Sequence, residues 1–247
     1  MRILSSSSSP TCLYVADDFG LCSSVNESIL HSHHHGVLSS ASLMLGQAGS
    51  QEAISLAKST PNLELGLHFH FCDSNPTTRQ SWPWGSHPAS LGFRLGFQPY
   101  SISLIQEEIE NQWNLFESSG LPLSFINVHH HLQSHPWIGG MIGRFLIKKK
   151  FQGWIRGGVP HFFSPVSPLK NRFTRWLSKT VQKRIPFQSP HSLWGIDRPF
   201  SMEPQEIRSV TVSLTEGVHE FIFHPRTLND SETQCLIHLK QSPSPAL

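Results

Sequence analysis

Five residues with the chemistry to hold a cation or move a proton stand at the ends of short apolar runs: Asp17, Asp18, His68, His129 and His224. Asp18, His68 and His129 make a two-histidine, one-carboxylate set. Such a set binds a divalent cation and leaves positions open for water and substrate. An ion of this kind makes water more acidic and polarises a carbonyl. The expectation is one divalent metal ion, zinc or magnesium. Asp17 is placed to accept the proton of the attacking water, and His224, followed by Pro225, to protonate a leaving amine. Arg156 is a candidate to supply positive charge to the developing oxyanion. If the run His129-His130-His131 is extended, alternation brings His131 to the face of His129, and His131 is a candidate substrate contact. His31, His33, His34 and His35 fall at an expected helix end, where imidazoles favour the dipole rather than a metal.

The elements that must position these residues are legible as apolar runs alternating with helical patterns, which argues for βα units. Thr11–Ala16 reads as a buried strand ending at Asp17. Leu21, Val25 and Ile29 recur at helical spacing, with Gly36 as the stop. Val37–Leu45 reads as a second strand, Gln51–Lys58 as a short helix, and Leu63–Leu67 as a strand running into His68. Residues 73–101, rich in Pro, Gly, Ser and aromatics, read as a long loop, a kind that is usually functional. Its Trp82 and Trp84 are expected to form a wall of the substrate site, with Phe93, Phe97 and Tyr100 beside them. Ile105, Ile109, Trp113 and Phe116 mark a helix, Phe125–Val128 a strand leading into His129, and Ile138 to Leu146 the next helix. Trp154–Arg156 and His219–Phe223 read as further strands. Four strands thus end in a chemically capable residue, and in parallel barrels the C-terminal strand ends converge on one face that hosts the site.

The chain has 247 residues and is 38% hydrophobic, enough for one α/β domain. Residues 1–10, with serines at 5–9, read as a disordered lead-in to a single domain at 11–247. No run of 18 apolar residues predicts a membrane span. Four cysteines far apart, with no CxxC pair, fit a reduced cytoplasmic protein. From Ser118 to Ile196 there is no acid but 11 Lys or Arg, which suggests an anionic partner surface. Within that stretch Lys170–Arg184 fits a basic amphipathic helix. Its apolar face is Phe173, Trp176, Leu177 and Val181, and Arg172, Arg175, Lys179 and Lys183 lie on its flanks. Peripheral, reversible contact with an anionic membrane follows from such a helix. No nucleic-acid partner is expected, and a homodimer is allowed for.

The order of motifs resembles the YdjC-like carbohydrate deacetylases. The matching segments are Val15-Ala16-Asp17-Asp18-Phe19-Gly20, Gly36-Val37-Leu38-Ser39-Ser40-Ala41-Ser42-Leu43-Met44, Gly66-Leu67-His68, Asn127-Val128-His129-His130-His131 and Phe223-His224-Pro225. Asn127, the segment Gly120-Leu121-Pro122-Leu123 and the basic stretch after Arg156 look closest to the hopanoid-biosynthesis-associated branch. The resemblance implies a distorted (β/α), TIM-barrel-like fold and hydrolysis of the N-acetyl group of a sugar. It implies a metal on Asp18, His68 and His129, with Asp17 as base and His224 as acid. The implied substrate is an N-acetylglucosaminyl hopanoid glycolipid, or a chitooligosaccharide in the wider family. Two features depart from the family pattern. Gln133 stands where a further histidine is usual, which leaves His129 and His131 as the imidazole candidates there. The chain also stops at Ser244-Pro245-Ala246-Leu247, so the barrel is expected to lack a C-terminal element. The rival readings are another metal-dependent hydrolase, such as a phosphoesterase, and a non-catalytic glycan- or lipid-binding protein.

Overall fold

The structure is a computed structural model that describes residues 9–97, 99–163, 167, 172, 175, 176, 179 and 186–241. Among the described residues there are eight strands: β1 Pro10–Phe19, β2 Ser40–Leu43, β3 Glu64–Phe69, β4 Phe125–Val128, β5 Trp154–Ile155, β6 Val159–Pro160, β7 Ser192–Trp194 and β8 Gly217–Phe223. The helices are α1 Ser23–His35, α2 Ser50–Ser59, α3 Pro88–Phe97, α4 Pro99–Ser119, α5 Pro136–Lys148, α6 Pro204–Thr211 and α7 Ser231–Gln241, with a 3₁₀ turn at His129–Ser134. Every pairing is parallel, and the sheet runs β5-β4-β3-β2-β1-β8-β7-β6. Parallel neighbours need crossovers, and the helices supply them. β5 and β6 lie at opposite ends of this order yet are three residues apart in sequence. The sheet must therefore curl until its ends nearly meet, giving an open TIM-barrel-like α/β fold.

The interior follows from strand alternation, in which residues i and i+2 share a face. Leu13, Val15, Phe125, Trp154 and Val218 form a buried cluster of their own, apart from the helix-facing core. Phe125 and Trp154 stack with centroids 4.4 Å apart. Gly66 makes room for them, since a Cβ there would lie 2.4 Å from the Phe125 ring. One step further along each strand the same inward face turns polar. Asp17, Ser42, His68, Asn127, Arg156 and Glu220 are all buried and cap the apolar layer.

Several expectations need correction. Residues 73–101 are not one loop, because α3 occupies Pro88–Phe97 and α4 starts at Pro99. Leu91 and Leu95, four apart, bury themselves in the core and outweigh the helix cost of Gly92 and Gly96. Each helix begins on a proline, where the missing N–H is harmless. The second strand is only Ser40–Leu43, and β6, β7, α6 and α7 were not anticipated. The eight strands among the described residues match the number of a (β/α)₈ barrel. Of the lead-in, residues 1–8 lie outside the described residues, and Pro10 already pairs with Gly217 in the sheet. The proposed basic helix at Lys170–Arg184 lies largely outside the described residues, its apolar positions Phe173, Leu177 and Val181 among them. Among the described residues no helix is long and apolar enough to cross a membrane.

Candidate active site

Adjacent aspartates on a regular strand would face opposite ways. Here Ala16 pairs with Ala41 and Phe19 with Leu43, so Asp17 and Asp18 together oppose the single residue Ser42. This is a β-bulge, a device that re-aims side chains. Asp18 sits in the left-handed region at φ 65°, a conformation that a short polar side chain tolerates. The bulge turns both carboxylates to the same cleft.

Asp18 Oδ1 lies 3.2 Å from His68 Nε2 and 3.2 Å from His129 Nδ1, and the two imidazole nitrogens are 3.2 Å apart. The tautomer of His68 follows from its neighbours. Asn127 Nδ2 donates to Asp17 Oδ1 at 2.8 Å and to Ser42 Oγ at 3.1 Å. Its Oδ1 therefore accepts from His68 Nδ1 at 2.7 Å, and Nε2 is left as a lone pair pointing at Asp18. Asp18 Oδ1 is buried and accepts no hydrogen bond among the described residues. Lone pairs this close repel unless a cation or proton lies between them. Burial opposes charge on His68, yet Asp17 and Asp18 hold its pKa above the ordinary value. Burial likewise opposes the Asp18 carboxylate, and His129 and His68 hold it well below the ordinary range. Ligands at 2.0–2.2 Å around a tetrahedral zinc are roughly 3.3–3.6 Å apart, and octahedral magnesium ligands are roughly 2.8–3.0 Å apart. The observed spacing suits either ion, and the Asn127 contact is the outer hydrogen bond that metal-binding histidines usually make.

Asp17 is held from behind. Its Oδ1 accepts from Ser42 Oγ at 2.9 Å and Arg156 Nη2 at 2.9 Å, and its Oδ2 from Arg156 Nη1 at 2.5 Å. Burial alone would raise its pKa, but the Arg156 guanidinium and then His68 drive it far below the usual carboxylate range. Arg156 is fully buried. Its remaining contacts go to Glu220, with Nε 2.8 Å and Nη2 2.6 Å from Oε1. The structure therefore places Arg156 beneath Asp17, its donors engaged, rather than facing the cleft where a substrate oxyanion would form. Glu220 sits within the apolar run of β8, and a lone acid there is the signal in the sequence that it has a buried partner.

His224 follows β8, and its Nε2 lies 3.8 Å from Asp17 Oδ2. Its Nδ1 is buried without a hydrogen-bond partner among the described residues. Burial lowers its pKa below the ordinary value despite Asp17 and Asp18, so it rests neutral at pH 7. Glu232 Oε2 accepts from its backbone N–H. These groups line a cleft of about 230 Å³, with Asp73, His129, His130, His131, Ile196, Pro199, Phe200 and Arg226 around it. His131 reaches this cleft, though not by strand alternation, because His130 and His131 both adopt left-handed φ within the 3₁₀ turn. Burial, then the nearby Arg156, push the His131 pKa down to about 3, so it is a neutral imidazole.

Trp82 and Trp84 are placed otherwise than expected. Both are buried in the core and stacked on each other at 5.5 Å. Their indole N–H groups donate to Ser74 O at 2.5 Å and Phe71 O at 2.6 Å. They pin the loop to the barrel, and neither lines the cleft. The aromatic at its mouth is Phe200, 51% exposed. The residues that sequence reasoning missed are Arg226 and Phe200 in the cleft and, behind the site, Ser42 and Glu232, whereas Asp73, at the start of the expected wall loop, does line the cleft. His31–His35 end α1 as expected.

The family described as YdjC-like protein matches residues 14–244. A carbohydrate deacetylase from Vibrio campbellii is 34% identical over 152 residues, 60% of each chain. One from Brevibacillus brevis is 39% identical over 127 residues, 50% of each chain. The matched stretch thus spans about 50–60% of the length of these curated relatives. A solved structure from Enterococcus faecalis V583, described provisionally as a cellobiose-phosphate cleavage protein, superposes with a TM-score of 0.65 at 19% identity, covering 95% of this chain and 94% of that one. At that identity the likeness shows the fold alone.

Proposed function

Because the chain belongs to the YdjC-like family, we propose that it is a metal-dependent carbohydrate deacetylase that hydrolyses the N-acetyl group of a sugar to acetate and a free amine. One observation carries the reading: Asp18, His68 and His129 present three ligand atoms within 3.2 Å of one another, beside the cleft that Asp17, Asp18, His129 and His224 line. A divalent cation held by that set supplies Lewis acidity to a carbonyl and to water.

The chain's own groups do the rest. Asp17 is a weak base, so it takes a proton only from a water that the site has made acidic. Ser42, Asn127 and Arg156 fix its orientation, which makes Arg156 a positioning residue. Once protonated, Asp17 lies beside His224, the stronger base of the two, at 3.8 Å. Neutral His224 can receive that proton and then deliver it to the departing amine, so the pair moves one proton from water to nitrogen. Phe200 offers an aromatic face for a sugar ring at the cleft mouth.

The finer substrate reading is an N-acetylglucosaminyl group on a hopanoid lipid, or on a chitooligosaccharide. It rests on the motif resemblance, and in the lipid-linked case peripheral membrane contact would accompany it. The test is acetate release from both substrates by cation-loaded protein, with and without chelator, beside a generic phosphate ester. Acetate release that chelator abolishes is expected. Asp17→Asn should lower the rate ~10²–10⁴-fold with cation content unchanged. Loaded protein that releases no acetate from either substrate overturns the reading.

A further inference from the structure

Two arginines approach the aspartate pair, and only one faces the cleft. Arg156 is 0% exposed and spends its donors on Asp17 and Glu220. The Arg226 side chain is 31% exposed, and its Nη2 donates to Asp18 Oδ2 at 2.7 Å. Its Nε and Nη1 donate to no described residue. The guanidinium lies 5.0 Å over the Phe200 ring, a contact that holds it by its face. Its backbone is fixed as well, because Asp230 Oδ2 accepts from the N–H groups of Arg226 at 2.5 Å and Thr227 at 2.7 Å.

Asp18 is thereby shared. Its Oδ1 belongs to the ligand face with His68 and His129, while its Oδ2 is tied to Arg226. This tie favours ligation through one oxygen only. It also sets a fixed cation in the cleft beside the ligand set.

We infer that Arg226, rather than Arg156, is the cation that meets the substrate's acetyl oxygen as negative charge develops on it. Preorganised donors aimed at developing charge are effective because they do not reorganise during the reaction, and a guanidinium offers several in a rigid fork. The inference rests on the deacetylase reading and assigns a further residue to it.

The experiment compares wild type, Arg226→Lys and Arg226→Met, each checked for folding by circular dichroism. For each, kcat and KM for acetate release are measured, together with calorimetric Kd values for zinc alone and for acetate binding to the loaded protein. In Arg226→Met, kcat should fall ~10²–10³-fold, KM and the zinc Kd should change little, and acetate should bind at least about tenfold more weakly. Arg226→Lys should recover part of kcat, and it keeps the test alive if the methionine variant misfolds. A kcat within threefold of wild type overturns the inference. So does a loss that saturating zinc fully restores, which would leave Arg226 a holder of Asp18 alone. If wild type releases no acetate, the deacetylase reading itself fails, whereas active wild type with equally active variants sinks only the Arg226 assignment.

Discussion

Replacing Arg156 by methionine tests the buried charge network most directly. The wild-type guanidinium is wholly buried and makes four contacts of 2.5–2.9 Å to Asp17 and Glu220. Methionine fills much of the same space but leaves two carboxylates without their cation. Removing one partner of a buried ion pair costs about 3–5 kcal/mol. For a domain of this size each kcal/mol moves Tm by about 2–4 °C, so the expected drop is roughly 6–20 °C. The pH dependence has a definite sign. In the wild type, Asp17 has a lowered pKa, and its contribution is present above the ordinary value of 3.8 and lost as pH falls through the lowered one. Burial, outweighing Arg156, already raises the pKa of Glu220. Without Arg156 both carboxyls favour their protonated forms, so the variant loses stability as pH rises. Urea unfolding at pH 5 and pH 8 should show the larger deficit at pH 8. Adding Glu220→Gln should recover part of it by removing one unpaired charge. A variant within about 1 kcal/mol of wild type at pH 8, or a deficit larger at pH 5, would refute the reasoning.

Two further outcomes are expected. Glu232 has its pKa raised from 4.5 to about 7 by burial, which outweighs the backbone hydrogen bonds from His224 and Phe200. The fold thus binds this proton more tightly than the unfolded chain does, and the contribution is full below 4.5 and lost as pH rises through about 7. Glu232→Gln should therefore stabilise at pH 8 by up to roughly 3 kcal/mol and change little at pH 4, and thermal unfolding at the two pH values decides it. Trp84→Ala should cost about 3–5 kcal/mol of stability while KM for the acetylated substrate stays near wild type. A raised KM with unchanged stability would instead put Trp84 against substrate.

The sequence made the site more legible than the barrel that carries it. Phe125–Val128, apolar but for Asn127, forms a strand over those residues. Parallel topology then guarantees that residues at the strand ends converge, so Asp18, His68 and His129 could be grouped without a structure. β6 and β7 were invisible because they have two and three residues, too short for any period to register. α3 was hidden by two glycines and a proline-rich approach. The basic charge of Arg156 is plain in sequence, whereas its fork across Asp17 and Glu220 depends on two other strands. Arg226 had no periodic signal at all, and only its position beside His224-Pro225 could have marked it.

The join between β5 and β6 has a consequence for the barrel as a moving body. The two strands are the termini of the sheet, and only Arg156, Gly157 and Gly158 run between them. The ring is thus buckled by a strap of covalent chain between two-residue strands, each held by a short ladder in which Ile155 N–H donates to Gln188 O at 2.9 Å and Val159 N–H to His191 O at 3.0 Å. Amides beside the buckle, such as those of Ile155 and Val159, should exchange with solvent long before those of β1 and β8, whose register runs unbroken from Pro10 to Ala16. Arg156 is itself the first link of the strap. Each opening of the buckle therefore tugs on the residue that aims Asp17, and on warming the protein should lose the alignment of Asp17 at temperatures where most of the barrel is still intact.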